Sequence, residues 1–180
     1  MRVITGKARG VVLKTPDGMQ TRPTADRVKE ALFSIIQFEL PGARVLDLFG
    51  GTGQLGIEAL SRGAKCAVFV DAREEACKLI RENLKRTGLD HDAQVVRADY
   101  LAYLNRCKES FDIILLDPPY AEVFLENALK LIVEIDILQT NGIIITERPL
   151  GKDLPFEFSG FTRSKDYKYG KTLLTIYRKA

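Results

Sequence analysis

The stretch DLFGGTGQLGIEA, residues 47–59, decides the fold. An apolar run leads into it, and Gly51, Gly53 and Gly56 then follow at the spacing G-x-G-x-x-G before a helical pattern begins. Glycines let the backbone pass close to a ligand, and a helix N-terminus favours a negative group. Asp71 ends the next strand pattern, where a carboxylate can accept hydrogen bonds from both hydroxyls of a ribose. The stretch therefore predicts a strand, a turn and a helix that bind a nucleotide-containing cofactor.

Strand and helix patterns alternate outward from this turn. Five strands are predicted by the runs ARVLDLF, CAVFVD, AQVVRAD, FDIILLD and GIIITE. Helical patterns separate them, so the strands should be parallel with right-handed crossovers. The last two β-rich runs join through the polar residues 168–171 with no helix between them, which predicts an antiparallel hairpin. We expect an α/β, Rossmann-like fold with a mostly parallel, seven-stranded sheet that ends in this hairpin.

The first forty residues predict an extension in front of that sheet. RVITGKARGVVLKTP reads as two short strands in a hairpin or a loose β-arm. RPTADRVKEALFSIIQF reads as an amphipathic helix with Thr24 as its N-cap. We expect residues 1–180 to form one domain, with residues 1–40 as its N-terminal extension.

Composition and charge narrow the class of protein. Hydrophobic residues make up 46% and charged residues 28% of the chain, as in ordinary soluble domains, and no apolar run is long enough to span a bilayer. The three cysteines have no C-x-x-C spacing, so we expect a reduced, cytoplasmic chain without a metal site. We also expect the chain to be a monomer. Residues 1–29 and 161–180 each carry a net charge of +5, whereas residues 30–160 carry −7. Two basic ends predict contact with a polyanion.

Two further carboxylates follow strand patterns at the predicted cofactor site. Asp47 stands three residues before the first glycine, where it suits a cofactor with a cationic amino-acid end and would sit badly beside a pyrophosphate. Asp99 follows the third strand, where it can cap the next helix and also accept a hydrogen bond from an adenine amino group. These acids favour S-adenosylmethionine over NAD.

The stretch ILLDPPYAEVF, residues 114–124, predicts the place of chemistry. Asp117 and the Pro118 carbonyl can accept both hydrogens of a planar amino group at the end of the fourth strand, next to the first. Tyr120 can stack on the ring that carries this group. Consecutive prolines hold these groups still, as a positioned transfer requires.

The segments DLFGGTG, VDA, RADY and DPPY resemble the motifs of class I S-adenosylmethionine-dependent methyltransferases, and DPPY resembles those that methylate exocyclic amino nitrogens. The N-terminal segments RVITGKARGVVLKTP and TRPTADRVKEALFSII, together with the terminal YKYGKTLLTIYRK, resemble the RsmD family, which methylates N2 of a guanine in bacterial 16S ribosomal RNA. The resemblance covers nearly the whole chain and implies a class I methyltransferase fold with two sets of site residues. The cofactor contacts would be Asp47, Gly51, Gly53, Asp71 and Asp99. The target-base contacts would be Asp117, Pro118 and Tyr120.

The resemblance also implies a partner, which would be ribosomal RNA or a small-subunit ribosomal particle. The basic charge of the N-terminal segment predicts that Arg9, Arg22, Arg27 and Lys29 hold the RNA backbone. The guanine N2 would attack the methyl group in line, while Asp117 polarises the amino group and takes its proton.

Several alternatives stay open from the sequence. An adenine-N6 methyltransferase of nucleic acid also uses a DPPY tip, and a glutamine-amide methyltransferase of release factors usually has Asn in place of Asp117. An NAD-dependent oxidoreductase would leave Asp47 and the DPPY tip unexplained. A non-catalytic RNA-binding module would not need the predicted cofactor site.

Overall fold

The computed structural model of the chain describes residues 1–16, 23–119, 121–151, 157–158 and 160–179. Eight strands form one sheet in the order β3-β2-β1-β4-β5-β8-β7-β6. The strands are β1 (Arg44–Asp47), β2 (Cys66–Asp71), β3 (Ala93–Arg97), β4 (Phe111–Leu116), β5 (Leu138–Pro149), β6 (Glu157–Phe158), β7 (Phe161–Tyr169) and β8 (Thr172–Lys179). The first five strands pair in parallel and the last three are antiparallel, which confirms the predicted Rossmann-like architecture and its C-terminal hairpin.

The sheet has one strand more than the seven predicted. The first β-rich run of the C-terminal region was expected to be a single strand, but it is divided into β6 and β7. Phe158 pairs with Phe161, and Gly160 has a φ of 80°, a left-handed conformation that glycine adopts without strain. A tight reversal at this point creates the additional two-residue strand.

Helices cover both faces of the sheet. They are α1 (Pro23–Ile35), α2 (Gln54–Ser61), α3 (Glu74–Thr87), α4 (Tyr100–Leu104) and α5 (Ala121–Ile135). Alternate residues of β4 face opposite sides: Ile113 packs in the core beneath α1, α2 and α3, and Ile114 packs in the core beneath α4 and α5. Over the described part of the chain, none of the helices has the length and apolarity needed to cross a bilayer.

The N-terminal segment lies across α2 and α3 as an arm. One antiparallel bridge, between Arg2 and Val12, holds its two limbs together. The buried Glu58 carboxylate of α2 accepts hydrogen bonds from the Ile4 N–H (2.8 Å) and the Thr5 N–H (3.0 Å). These bonds satisfy backbone donors that a lone hairpin would leave to solvent, and they fix the arm on the helical layer.

Candidate active site

Four acidic side chains meet where parallel strands end. Asp47 and Asp71 are the last residues of β1 and β2, and Asp117 directly follows β4. Glu147 lies in β5, directly after Thr146, the residue paired with the last residue of β4. The carboxyl ends of parallel strands in such a sheet are the usual place for a ligand.

The strand register puts these acids on one face. Asp47 pairs with Phe69 of β2 and with Leu115 of β4, and Leu115 pairs with Ile145 of β5. Residues two apart on a strand share a face. The acids two residues beyond these partners, Asp71, Asp117 and Glu147, therefore share the face of Asp47.

The glycine turn after β1 has two distinct roles. Gly51 (φ 56°) and Gly53 (φ 80°) adopt left-handed conformations, and Gly53 is the N-cap of α2. A Cβ on Gly51 would have only one neighbouring atom, a backbone oxygen 3.9 Å away, so space for a ligand is open beside it. A Cβ on Gly56 would lie 2.2 Å from the Phe69 ring. Gly56 therefore serves the packing of α2 on the sheet, while Gly51 shapes the ligand side of the turn.

Asp71 is held by donors from the turn and from the start of α3. The Gly51 N–H donates to Oδ2 (3.0 Å) and the Arg73 N–H donates to Oδ1 (2.9 Å). The Arg73 guanidinium adds one bond to each oxygen, both at 3.2 Å. These four bonds occupy the four acceptor sites of the carboxylate, and hydroxyl groups of a ligand would replace the two that come from the exposed Arg73 guanidinium.

Asp47 is fully buried and only half satisfied. Its Oδ2 accepts from the Gly56 N–H (3.1 Å), whereas its Oδ1 is buried with no hydrogen-bond partner among the described residues. Burial, and secondarily the charges of Asp117 and Asp71, raise the pKa of Asp47 to about 7. A buried carboxylate oxygen of this kind requires a donor or a cation. The ammonium of an amino-acid group fits this requirement, so the site passes a chemical test for S-adenosylmethionine.

A first cavity of about 520 Å³ contains the predicted cofactor residues. Asp47, Gly51, Asp71 and Asp99 all line it. Gly53 is absent from its wall and acts as the helix cap behind it. Asp99 is exposed and accepts hydrogen bonds from two N–H groups at the start of α4, so its predicted role as a cap is confirmed. Its contact with an adenine stays a prediction.

Sequence reasoning missed an aromatic cluster beside this cavity. The ring centroid of Tyr100 lies 5.3 Å from that of Phe49 and 5.5 Å from that of Phe124, and the Phe49 and Phe124 centroids are 6.3 Å apart. All three rings line the first cavity. Each ring follows a different strand, so no local pattern could have grouped them. Their faces and edges suit an apolar, planar group such as a purine.

A second cavity of about 650 Å³ adjoins the first. The two cavities share Asp117, Pro118, Pro119 and Phe124. We call Asp117, Pro118 and Pro119 the DPP tip. Tyr120, the predicted stacking residue, lies outside the described residues. The second cavity is further lined by Glu147, Arg148 and the exposed Lys171 of the β7–β8 turn.

The two acids of the second cavity are strongly perturbed. Burial raises the pKa of Asp117 to about 6. Burial and the charge of Asp117 raise the pKa of Glu147 to about 8. Sequence reasoning did not single out Glu147. The run GIIITE nevertheless ends in an acid, just as β1 ends at Asp47 and β2 ends at Asp71. In the part of the chain that is described, no group of three or more His, Cys, Asp or Glu side chains could hold a metal ion.

Two of the predicted RNA-contacting residues share a surface. Arg9 and Arg27 are exposed, and both line a hollow of about 290 Å³ together with Arg2. Arg2 directly follows Met1, which lines the first cavity. Arg22 lies outside the described residues. The arm therefore leads from the first cavity to a hollow with three guanidinium groups, which the carboxylates of Asp26 and Glu30 also line.

The structure contradicts the predicted RNA contact of Lys29. Only 2% of this residue is exposed. Its ammonium donates to the Arg2 carbonyl (2.6 Å) and lies 3.8 Å from the Glu58 carboxylate, and burial lowers its pKa. The helical pattern of α1 showed that Lys29 lies in the basic N-terminal part of the chain. It could not show that the arm folds over Lys29 and buries it. Lys29 anchors the arm.

Comparisons with known proteins agree over nearly the full length of the chain. The family model described as "Conserved hypothetical protein 95" matches residues 1–178. YlbH of Bacillus subtilis, whose name assigns it provisionally as an rRNA methyltransferase, is 41% identical over 182 residues, 99% of each chain. Ribosomal RNA small subunit methyltransferase D of Escherichia coli is 30% identical over 179 residues, which are 99% of this chain and 90% of that protein.

Solved structures give the same fold. The Escherichia coli protein yhhF, provisionally described as a methyltransferase, has a TM-score of 0.90 at 28% identity, covering 99% of this chain and 97% of that one. An RNA methyltransferase from Salinibacter ruber, solved in complex with S-adenosyl-L-homocysteine, has a TM-score of 0.67 at 13% identity, covering 89% and 94%. At this low identity, the similarity to the Salinibacter ruber structure shows only that the fold is shared.

Proposed function

The chain belongs to the family described as Conserved hypothetical protein 95, the RsmD-like rRNA methyltransferases, and from this premise we propose that it methylates the exocyclic N2 of a guanine in bacterial 16S ribosomal RNA, with S-adenosylmethionine as the methyl donor. One observation carries the proposal. Two cavities meet at the DPP tip, and each presents carboxyl oxygens that have no donor among the described residues: Asp47 Oδ1 in the first, and those of Asp117 and Glu147 in the second. A cofactor on one side and an amino group on the other would supply those donors.

The first cavity suits the donor. S-adenosylmethionine supplies a methyl group that is already activated on a sulfonium. Asp47 Oδ1 would accept from the ammonium of its amino-acid end, and Asp71 would accept from the ribose hydroxyls. Asp99 would accept from the adenine amino group, with the aromatic cluster of Phe49, Tyr100 and Phe124 nearby. These roles keep the methyl group directed at the DPP tip.

The DPP tip suits an amino nucleophile. The lone pair of a guanine N2 is delocalised into the ring, which makes it a poor nucleophile. Hydrogen bonds from N2 to Asp117 and to the Pro118 carbonyl would localise that lone pair toward the methyl group, and Asp117 would take the proton that is shed. With a pKa of about 6, Asp117 is largely ionised at neutral pH and can accept it. Tyr120 would stack on the unstacked base.

The basic surface of the arm suits the RNA backbone. We propose that the extension, residues 1–40, contacts RNA through Arg9 and Arg27, beside Arg2, and through Arg22. Lys171 adds a positive charge at the wall of the second cavity. Phosphates could therefore be held on both sides of a base that enters that cavity, in naked RNA or in a small-subunit particle.

A methylation assay followed by nucleoside analysis tests this function. Ribosomal RNA and small-subunit particles from a strain that lacks the gene are incubated with the purified chain and labelled S-adenosylmethionine. We expect one labelled N2-methylguanosine in 16S RNA, located by mass spectrometry of nuclease fragments. Labelled N6-methyladenosine would overturn the guanine assignment. Calorimetry that detects binding of NAD and not of S-adenosylhomocysteine would overturn the whole proposal.

A further inference from the structure

Glu147 is held rigidly next to the reacting group. It lies on β5, which pairs with β4 on one side and β8 on the other, and Glu147 itself pairs with Leu174 of β8. The residue before it, Thr146, pairs with Leu116, the residue before Asp117. Glu147 and Asp117 are therefore neighbours across two adjacent strands and point to the same face. A side chain on a central, doubly paired strand has little freedom to move away.

The surroundings of Glu147 leave its carboxyl group open to a donor. It lines the second cavity beside Asp117, Pro118 and Phe124, and its side chain is partly buried. No hydrogen bond or ion pair to Glu147 occurs within the described residues, although two cations share the cavity. Arg148, which follows it, pairs with Asp166 instead (3.2 Å), and Lys171 is exposed at the cavity wall.

The target base presents two adjacent donors to this pair of acids. The Watson–Crick edge of guanine carries N1–H next to the N2 amino group, whereas adenine has a bare N1 acceptor in the corresponding place. We propose that Glu147 accepts the N1–H of the target guanine while Asp117 accepts from N2, so that Glu147 selects guanine over other purines. This inference rests on the function proposed above.

The electrostatics of the cavity support such a selection. Burial and the charge of Asp117 favour the protonated form of Glu147 in the free protein, which raises its pKa to about 8. A hydrogen bond from N1–H stabilises the ionised form. A base with a bare N1 places an acceptor against the ionised carboxylate, whereas the protonated carboxyl can donate to it. The contact therefore favours guanine by attraction and by repulsion when Glu147 is ionised, and the assays below are made at or just above the pKa of Glu147.

A substrate substitution tests the contact without changing the protein. The guanine located by the nucleoside analysis is replaced with 2-aminopurine in a synthetic RNA fragment. This base keeps the amino group at position 2 but has no N1–H. We expect wild-type kcat/KM to fall about 10- to 100-fold on this fragment, the effect of losing a hydrogen bond to a charged group. Equal rates on both fragments would overturn the inference.

A protein variant assigns the effect to Glu147. Glu147→Gln should lower kcat/KM on guanine and should not lower it on 2-aminopurine, because the amide can donate to a bare N1. The preference between the two bases should then largely disappear. Glu134→Gln, an exposed change on α5, is the matched control and should keep the wild-type preference. Thermal unfolding and S-adenosylhomocysteine affinity verify that the variant is folded.

The outcomes distinguish a failure of the selection role of Glu147 from a failure of the proposed methyltransferase function. Wild-type protein that transfers no methyl group to guanine overturns the proposed function and this inference together. Wild-type protein that methylates guanine, with Glu147→Gln keeping the full preference over 2-aminopurine, overturns the inference alone. A variant that is folded and binds cofactor but slows on both bases by the same factor would assign Glu147 to positioning the DPP tip and would also overturn the selection role.

Discussion

The two cavities that meet at the DPP tip hold their carboxyl groups in different ways. On the cofactor side, Asp71 receives hydrogen bonds from the Gly51 and Arg73 N–H groups, and Asp47 receives one from Gly56. On the target side, Asp117 and Glu147 receive none from the residues that the structure describes, and burial raises the pKa of both. Acids on one side are oriented by the protein itself, whereas acids on the other side depend on donors that the ligand brings.

This difference indicates what each side does. An acid that is fixed by backbone N–H groups binds a ligand without rearrangement and contributes mainly to affinity. An acid that lacks partners until the substrate arrives is better suited to act on that substrate, because its interactions strengthen as the reacting group enters. Substitutions on the cofactor side should therefore change cofactor affinity, and substitutions on the target side should change the rate of methyl transfer.

The largest expected effect is on the target side. Asp117→Ala removes the acceptor that polarises N2 and takes its proton, so single-turnover methylation of RNA should slow by about 10²–10⁴-fold. S-adenosylhomocysteine affinity should change little, because Asp47, Asp71 and Asp99 remain. A folded Asp117→Ala protein that binds both ligands and methylates at the wild-type rate would remove the distinction between the cavities.

On the cofactor side the effect should appear in affinity. Asp71→Ala removes the acceptor for the ribose hydroxyls, and it also releases the Gly51 N–H and the Arg73 guanidinium. S-adenosylhomocysteine binding should weaken by about 1–3 kcal/mol, the usual penalty for polar groups left unpaired. Calorimetry on this variant and on Asp117→Ala gives the direct comparison. Unchanged affinity in Asp71→Ala would mean that the end of β2 does not bind the ribose.

A pH dependence should connect Asp47 to the amino-acid end of the cofactor. With a pKa of about 7, Asp47 is mostly protonated at pH 6 and mostly ionised at pH 8. Since an ammonium binds the ionised form, S-adenosylhomocysteine affinity should rise about tenfold from pH 6 to pH 8. Asp47→Asn should bind weakly with a flat profile. A wild-type profile as flat as that of the variant would contradict the assignment.

The stability of the free protein offers a second test of Asp47. Its pKa rises on folding from 3.8 to about 7, so above pH 4 the folded state retains a proton that the unfolded chain has released. Stability therefore decreases from about pH 4 to pH 7 and levels off above pH 7. Asp47→Asn lacks this titration, and its thermal unfolding temperature should fall less over that range than the wild-type temperature does. The difference between the two proteins removes the contributions of Asp117 and Glu147.

The smallest effect should come from the arm, which touches the cofactor side through Met1 but presents its charges elsewhere. Reversing Arg9 and Arg27 to Glu should weaken RNA binding and reduce its salt dependence by about one unit of slope for each phosphate that is no longer neutralised. Cofactor affinity should stay level. Lys65→Glu, an exposed reversal at the opposite, amino end of β2, is the control. An effect of Lys65→Glu equal to that of Arg9→Glu alone or Arg27→Glu alone would mean that only net charge matters.

Most of the fold could be predicted from local pattern. The buried strand β4 is a nearly continuous apolar run, and α3 has a clear apolar stripe. Both elements were therefore identified correctly from the sequence. The additional strand β6 was missed because a two-residue strand has no period to read. It depends on Gly160 and on the partner strand β7.

The candidate site was predicted unevenly for the same reason. Asp47 and the DPP tip stand near conspicuous glycines or prolines, Asp71 ends a clear apolar strand pattern, and all of them line the cavities. Glu147 has no such neighbour, and its significance arises from the pairing of β5 with β4. The cluster of Phe49, Tyr100 and Phe124 likewise forms between the turn after β1 and the helices α4 and α5, which are far apart in the chain.

The amino-acid sequence by itself determined the elements of this protein: where strands and helices occur, where glycine permits a left-handed turn, and where prolines stiffen a strand end. These properties depend on neighbours along the chain, so they can be read locally. Only the tertiary structure decided which charges are available. It placed Glu147 next to Asp117 at the ends of the paired strands β5 and β4, and it buried Lys29 against Glu58 beneath the arm. Burial and proximity depend on residues far apart in the chain, and these two properties determine whether a charged group binds a ligand or holds the fold.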